Sequence, residues 1–347
     1  MSVDLIIYSY KPGDTFLKLL DSISEQSISV DKIIIMNVEQ KFFDRLMYSY
    51  KISDKHKNLE IHHIARREAD IGKWRNTGVR YSTADYFLMM DSDTFIETPD
   101  AIEKLLKPFS RDEKVAVSYA RKTAPENAPE YVKYALKYRF PLDSSTRSEK
   151  DLSTLKSDTY QSSNSCALYK RSTFDELGGF LNHVIANEDV IYASKAINAG
   201  YKVAYVSEAV ACANRTFTVD EEKERYFDIA VSFSKHPEVF DMDDVKERLK
   251  KTDKLTLDHL KRNGYTKEFI EFKRIEHARR AGFQKGTKFK KIASFDVAKY
   301  SYNKDYWRMD EILRDRTAVD VHSGYGRSAS ELEMLSTPPV MKKKEEN

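Results

Sequence analysis

Tyr86-Phe87-Leu88-Met89-Met90-Asp91-Ser92-Asp93 is the stretch on which the fold turns. Five residues run without a charge and end in two carboxylates spaced i, i+2. An apolar run of this length predicts a strand buried on both faces, as in a parallel sheet covered by helices. Along an extended chain alternate side chains share a face, so Asp91 and Asp93 can point into one crevice where the strand stops. Such a pair can seat a hard divalent cation, which takes oxygen ligands and keeps waters and substrate phosphates as the rest of its shell. The same pair also suits a solvated turn or a helix cap. The rest of the chain has to decide between these readings.

Working outward, β-rich runs alternate with helical stretches over the first 120 residues. Strands are predicted over 3–9, 32–37, 58–65, 85–90 and 114–120. Helices are predicted over 14–26, 72–82 and 99–109. Phe16, Leu19, Leu20 and Ile23 recur at helical spacing, and Pro99 suits a first turn. This rhythm predicts an α/β fold, a mostly parallel sheet with helices on both sides. Residues 121–163 are polar and carry Pro125, Pro129 and Pro141. They predict a short helix near 129–138 and a long mobile loop near 142–160. Beyond them lie a strand over 165–170, a helix over 172–177 ended by Gly178-Gly179, a helix over 188–199 stopped by Gly200, and a strand over 202–206. From Val219 onward strand signals vanish, and helices are predicted near 219–235, 243–263 and 266–281. The organisation that follows is a catalytic-type domain over 1–215, a helical extension over 216–316 and a disordered tail over 317–347.

The charge is unevenly spread. The net charge is +3 over 347 residues, yet residues 246–316 hold 21 Lys and Arg against 11 Asp and Glu. That bias predicts a partner with negative charge for the extension, or a solvated helical face. Cys166 and Cys212 are the only cysteines, too few for a disulfide framework or a zinc site. They suit a reducing cytoplasm. The opening MSVDLIIYSY lacks a signal-peptide pattern, and no apolar run approaches the ~20 residues of a membrane span. A cytoplasmic location is therefore expected, with any membrane contact peripheral.

In open α/β sheets ligands bind at the carboxyl ends of the strands. Ser9, Tyr10 and Lys11, then Asn37 and Glu39, then Arg66, then Asp91 and Asp93 fall at those predicted ends. No Gly-x-Gly-x-x-Gly follows the first strand, where Lys11-Pro12-Gly13-Asp14 stands instead, so a dinucleotide cofactor is not expected. A Walker A loop and a Gly-x-Ser-x-Gly elbow are also absent. A nucleotide pocket built on carboxylates and a metal remains. No nucleic-acid-binding motif stands out, and nucleic acid is not expected as a partner.

Five segments in order resemble a family-two glycosyltransferase of GT-A fold. They are Tyr8-Ser9-Tyr10-Lys11-Pro12; Gly72-Lys73-Trp74-Arg75-Asn76-Thr77-Gly78; Asp91-Ser92-Asp93; Phe174-Asp175-Glu176-Leu177-Gly178-Gly179-Phe180; and Asn187-Glu188-Asp189-Val190. More narrowly, the stretch from Asn187 to Tyr201, with Arg225-Tyr226-Phe227-Asp228 and His236-Pro237-Glu238-Val239-Phe240, is similar to bacterial rhamnosyltransferases. The resemblance implies an inverting transfer of L-rhamnose from dTDP-β-L-rhamnose to a hydroxyl of a glycan or lipid-linked acceptor in surface polysaccharide synthesis. It implies Asp93, with Asp91, as ligands of Mg2+ or Mn2+, and Asp189 beside Glu188 as the general base. Tyr8, Tyr10, Glu39 and Arg66 would line the nucleoside pocket, with Arg75 and Asn76 near its floor and Asp91 at the ribose or a metal-bound water. Two positions depart from the rhamnosyltransferase pattern. Asp70-Ile71-Gly72 stands where Asp-His-Gly is common, and Ala213-Asn214-Arg215 where a His-x-His is common. Arg215 would then replace a histidine as a cationic phosphate partner. A UDP-hexose donor, or a sugar-nucleotide- or glycan-binding protein without turnover, is the alternative.

Overall fold

A computed structural model describes residues 2–65 and 70–308. The strands are β1 (Val3–Ser9), β2 (Ile33–Asn37), β3 (Leu59–His63), β4 (Tyr86–Asp91), β5 (Thr94–Ile96), β6 (Val115–Thr123), β7 (Ser145–Arg147), β8 (Cys166–Lys170) and β9 (Lys202–Ala213). The helices of the first 215 residues are α1 (Asp14–Ser24), α2 (Gln40–Tyr50), α3 (Ile52–Lys55), α4 (Ile71–Tyr81), α5 (Ala101–Arg111), α6 (Glu130–Arg139), α7 (Leu152–Leu155), α8 (Arg171–Glu176) and α9 (Glu188–Asn198). They are followed by α10 (Val219–Lys235), α11 (Met242–Arg262), α12 (Thr266–Gly286) and α13 (Ser294–Val297).

One sheet runs in the order β3-β2-β1-β4-β8-β6-β9-β5, and β7 also pairs with β9. β3, β2, β1 and β4 are parallel; β8 runs against both β4 and β6; β9 is parallel to β6. The apolar run of β4 sits between β1 and β8, so both of its edges are paired. Both of its faces are covered as well. Leu88 and Met90 join Leu5, Ile7, Phe16 and Leu105 on one side, while Phe87 and Met89 join Ile6, Tyr169, Phe174 and Tyr192 on the other. This alternation is the period-two geometry of a strand. Fully burying side chains of this size contributes roughly 1.5–3 kcal/mol each.

The second core continues past residue 215. Ala230, Val239, Phe240, Val245 and Phe283 belong to it, so the C-terminal helices close one face of the sheet. Within it Tyr169 lies 5.3 Å from Phe87, 5.4 Å from Phe180 and 5.3 Å from Tyr192, ring centre to ring centre. These contacts hold the end of β8 against α9.

Three expectations are corrected. Residues 142–160 are not a mobile loop. β7 pairs with the first half of β9, Ser148 and Asp151 form a reciprocal cap, and Arg248 from α11 pairs with Asp158. Polar composition hid an anchorage made by side chains far away in sequence. β9 extends to Ala213 rather than ending at 206, because a bulge at Ser207–Ala209 lets pairing with β6 resume at Val210. α2 and α3 occupy residues 40–55, where no element is read from the pattern; only Phe43 and Ile52 are buried there, so the periodicity is thin. The expected disordered tail lies outside the described residues.

Candidate active site

The site begins with how α4 is docked. Asp70 caps it by accepting from the Lys73 N–H at 3.0 Å and also accepts from the His183 N–H at 2.6 Å. Gly72 has no room for a side chain, since a Cβ there would lie 1.9 Å from the Leu181 carbonyl oxygen. Gly179, at φ +72°, lies against the Asn76 amide. Asn76 therefore spends its side chain on the facing loop. Its Nδ2 donates to the Phe180 carbonyl at 2.8 Å and to Asn182 at 2.9 Å, and its Oδ1 accepts from the Phe180 N–H at 2.9 Å. It ties that loop to α4.

Arg75, one position earlier, is 2% exposed and points the other way. Its guanidinium donates to Asp91 Oδ1 at 2.5 Å and to Glu188 Oε1. One cation thus ties the end of β4 to the start of α9. Asn187 precedes α9 in the left-handed region at φ 66°, a conformation asparagine tolerates, and this turns Glu188 inward. The Asn164 side chain donates to Glu188 Oε1 at 3.1 Å, and the Asn164 backbone N–H donates to Asp189 Oδ2 at 3.0 Å. The other oxygen, Oδ1, accepts from the Val190 N–H at 2.8 Å. Two backbone donors at the start of α9 hold that carboxylate in place. Asn164 is itself held, because the Tyr169 hydroxyl donates to its Oδ1 at 2.7 Å. The buried aromatic cluster therefore fixes the aim of the Asp189 carboxylate.

Beside this scaffold lies the Asp91–Asp93 turn. Burial pushes the Asp91 carboxyl above its usual range, Arg75 opposes that shift and Asp93 adds to it. Its second oxygen faces the Ser165 hydroxyl at 3.4 Å, and Ser165 accepts from the Lys122 ammonium at 2.8 Å. Asp93 has a side chain 30% exposed, close to the 36% of Asp91, and pairs with Arg215 at 3.2 Å. Arg215 also donates to the Tyr302 hydroxyl and lies over the Phe217 ring. Among the described residues no group of three or more His, Cys, Asp or Glu is placed to hold a metal. The available oxygen set fits an ion bound through one or two carboxylates that takes its remaining ligands from phosphate and water, as Mg2+ does.

The nucleoside-side candidates string along the neighbouring strand ends. Tyr8 is the register partner of Asp91 and half-buried, and burial raises its phenol above its usual range against the pull of Arg75. Tyr10 is 42% exposed just beyond, with Lys11 over its ring, and Glu39 is half-exposed where α2 starts. Arg66 lies outside the described residues. The structure thus brings Arg75, Asp91, Glu188 and Asp189 into one network and sets Asp93 with Arg215 beside it. It adds Lys122, Asn164, Ser165 and Tyr302. Lys122 is legible in hindsight: it lies at the carboxyl end of a strand that runs to Thr123 rather than stopping at 120. Asn164 and Tyr302 have no local signature.

A sheet of this order, with carboxylates at its switch point and a carboxylate at a facing helix start, defines a GT-A glycosyltransferase. The chain belongs to Glycosyl transferase family 2, which matches residues 4–178. The O-antigen chain rhamnosyltransferase RfbN of Salmonella typhimurium is 34% identical over 232 residues, covering 67% of this chain and 72% of that protein. The O-antigen chain rhamnosyltransferase WbaN of Salmonella anatum is 32% identical over 175 residues, covering 50% of this chain and 55% of that one. Among solved structures, the mannosyltransferase PcManGT from Pyrobaculum calidifontis, in complex with GDP-Man and Mn2+, superposes with a TM-score of 0.57 at 16% identity, covering 82% and 86% of the two chains. That likeness is one of fold.

Proposed function

We propose that the protein is an inverting rhamnosyltransferase that moves L-rhamnose from dTDP-β-L-rhamnose to a hydroxyl of a glycan or lipid-linked acceptor in bacterial surface polysaccharide synthesis. The observation that carries this is the held carboxylate of Asp189, together with the similarity to RfbN across two thirds of the chain. Asp189 takes the proton of the acceptor hydroxyl as its oxygen bonds to the anomeric carbon. The bond from that carbon to the diphosphate breaks, its electron pair leaves on the phosphate oxygen, and a single in-line displacement inverts the centre, as in inverting glycosidases. Glu188 stays on Arg75 and Asn164 and holds the wall of the site. Tyr8, Tyr10, Glu39 and Arg66 take the nucleoside, with Arg75 and Asn76 beneath. Arg215 leaves Asp93 for the diphosphate, where its planar fork suits two oxygens. Asp93, backed by Asp91, would hold Mg2+ or Mn2+, which when bound neutralises charge on the departing diphosphate.

Nucleotide release from a panel of donors tests the reading. Release from dTDP-rhamnose in the presence of acceptor is expected, falling about 10²–10⁴-fold in Asp189→Asn while the protein stays folded. No release from any donor at millimolar metal would sink it. No described helix is long and apolar enough to cross a membrane. We place the work at the cytoplasmic face, with peripheral contact through the basic extension. Lys223, Lys273 and Arg274, with one carboxylate from Asp220, rim a groove of about 670 Å³ in which Ile270 is exposed and Phe269 half-buried. A cationic rim over apolar side chains suits anionic lipid. Vesicle sedimentation without preference for anionic lipid would remove that contact.

A further inference from the structure

The cations around the cleft differ in one respect. Arg75 pairs with Asp91 and Glu188, Arg215 with Asp93, and Arg225 with Glu222 at 3.3 Å. Lys122 makes no ion pair among the described residues. Its ammonium donates to the Ser165 hydroxyl at 2.8 Å and has two further hydrogens to place. The residue is half-buried, and burial works against its charge while the nearby Asp91 and Asp93 carboxylates favour it. Both carboxylates are already engaged by arginines. A partly desolvated ammonium with unused donors is better satisfied where an anion meets it.

The position narrows what that anion is. Ser165, the partner of Lys122, faces Asp91 at 3.4 Å, and the preceding residue, Asn164, holds Asp189. Lys122 therefore lies beside the carboxylates of the turn, and its partner Ser165 adjoins the residue that holds the candidate base. The geometry points to Lys122 as a phosphate-binding contact of the cleft. This rests on the glycosyltransferase reading of the site. The phosphate has two possible sources with the same chemistry: the diphosphate leaving the donor, or the phosphate of a lipid-linked acceptor.

Calorimetric titration of the full chain separates them. The ligands are dTDP with Mg2+, a short prenyl phosphate, and thymidine as the uncharged control. Lys122→Gln keeps a hydrogen-bonding group for Ser165 and removes the charge, and Lys122→Arg restores it; each is checked by thermal melting. A roughly tenfold to hundredfold weakening with Gln, recovered by Arg, is expected for one phosphate ligand while thymidine binding is unmoved. Weakening of dTDP binding assigns the donor, and weakening of prenyl phosphate binding assigns the acceptor. If the wild-type chain binds a phosphate ligand and folded Lys122→Gln binds each as tightly, Lys122 merely balances charge and the inference is overturned. If Lys122→Gln does not fold, Lys122→Met is read in the same way. A wild-type chain that binds neither phosphate overturns the reading of the site, and this inference with it.

Discussion

Two arginine–aspartate pairs stand on either side of one turn, and they do opposite work. The aspartates are alike, 36% and 30% exposed, but Arg75 is 2% exposed and locked onto Glu188 at 6%, whereas Arg215 is 46% exposed. The difference is dielectric. Arg75, buried with Glu188, cannot be lost without leaving an uncompensated charge away from water, while water and salt replace the exposed Arg215 at small cost. The first pair is scaffold. The second is a contact that a ligand can take over.

Breaking the scaffold should produce the largest effect. Arg75→Met leaves Glu188 buried without its cation, and we expect a loss of roughly 3–5 kcal/mol in urea unfolding, with activity gone. A loss under about 1 kcal/mol would mean that the two pairs are not different in kind. Asp93→Asn sharpens the other side of the comparison. Stability should change by no more than about 1 kcal/mol, while nucleotide release loses its response to added Mg2+ or Mn2+. An unchanged metal titration curve would remove Asp93 from the metal site.

The smallest effect concerns the segment that brings Tyr302 to Arg215. Asp228 of α10 is buried and accepts from the Ser301 hydroxyl at 2.6 Å and the Asn303 N–H at 2.8 Å. Burial pushes its carboxyl from an ordinary 3.8 to about 7. Between those values the folded chain holds a proton that the unfolded chain has released, so this contribution is complete below pH 3.8 and is lost as pH rises to about 7. Asp228→Asn should flatten the fall in melting temperature over that window. Only part of the slope should go, because Asp253 is also raised, to about 6. An unaltered slope would show that Asp228 does not titrate in this way.

Much of the frame is legible from local pattern. The run 86–90 is a central strand because nothing in it can face water, and residues 219–235 form a helix with the boundaries their pattern predicts. The ordered segments mark Asp91, Asp93, Glu188 and Asp189 as candidates before any geometry. Other features depend on distant partners. Residues 142–160 read as loose because their anchors, Tyr205 opposite Ser145 and Arg248 on Asp158, lie far along the chain. Asn76 reads like Arg75 from sequence, yet one holds a loop and the other crosses the site, since adjacent helical residues point about 100° apart.

By itself the sequence determined the parallel strands, the helices that cover them and the carboxylates at the sheet's ligand edge. Apolar periodicity and strand-end placement are local properties, and short-range sterics and burial enforce them. Tertiary structure alone decided which charges meet: Arg75 with Glu188 across 113 residues, Arg215 with Asp93 across 122, and Lys122 with a serine and, among the described residues, no ion-paired carboxylate. Those partners follow from sheet order and from how deep each group lies, and no spacing along the chain carries that information.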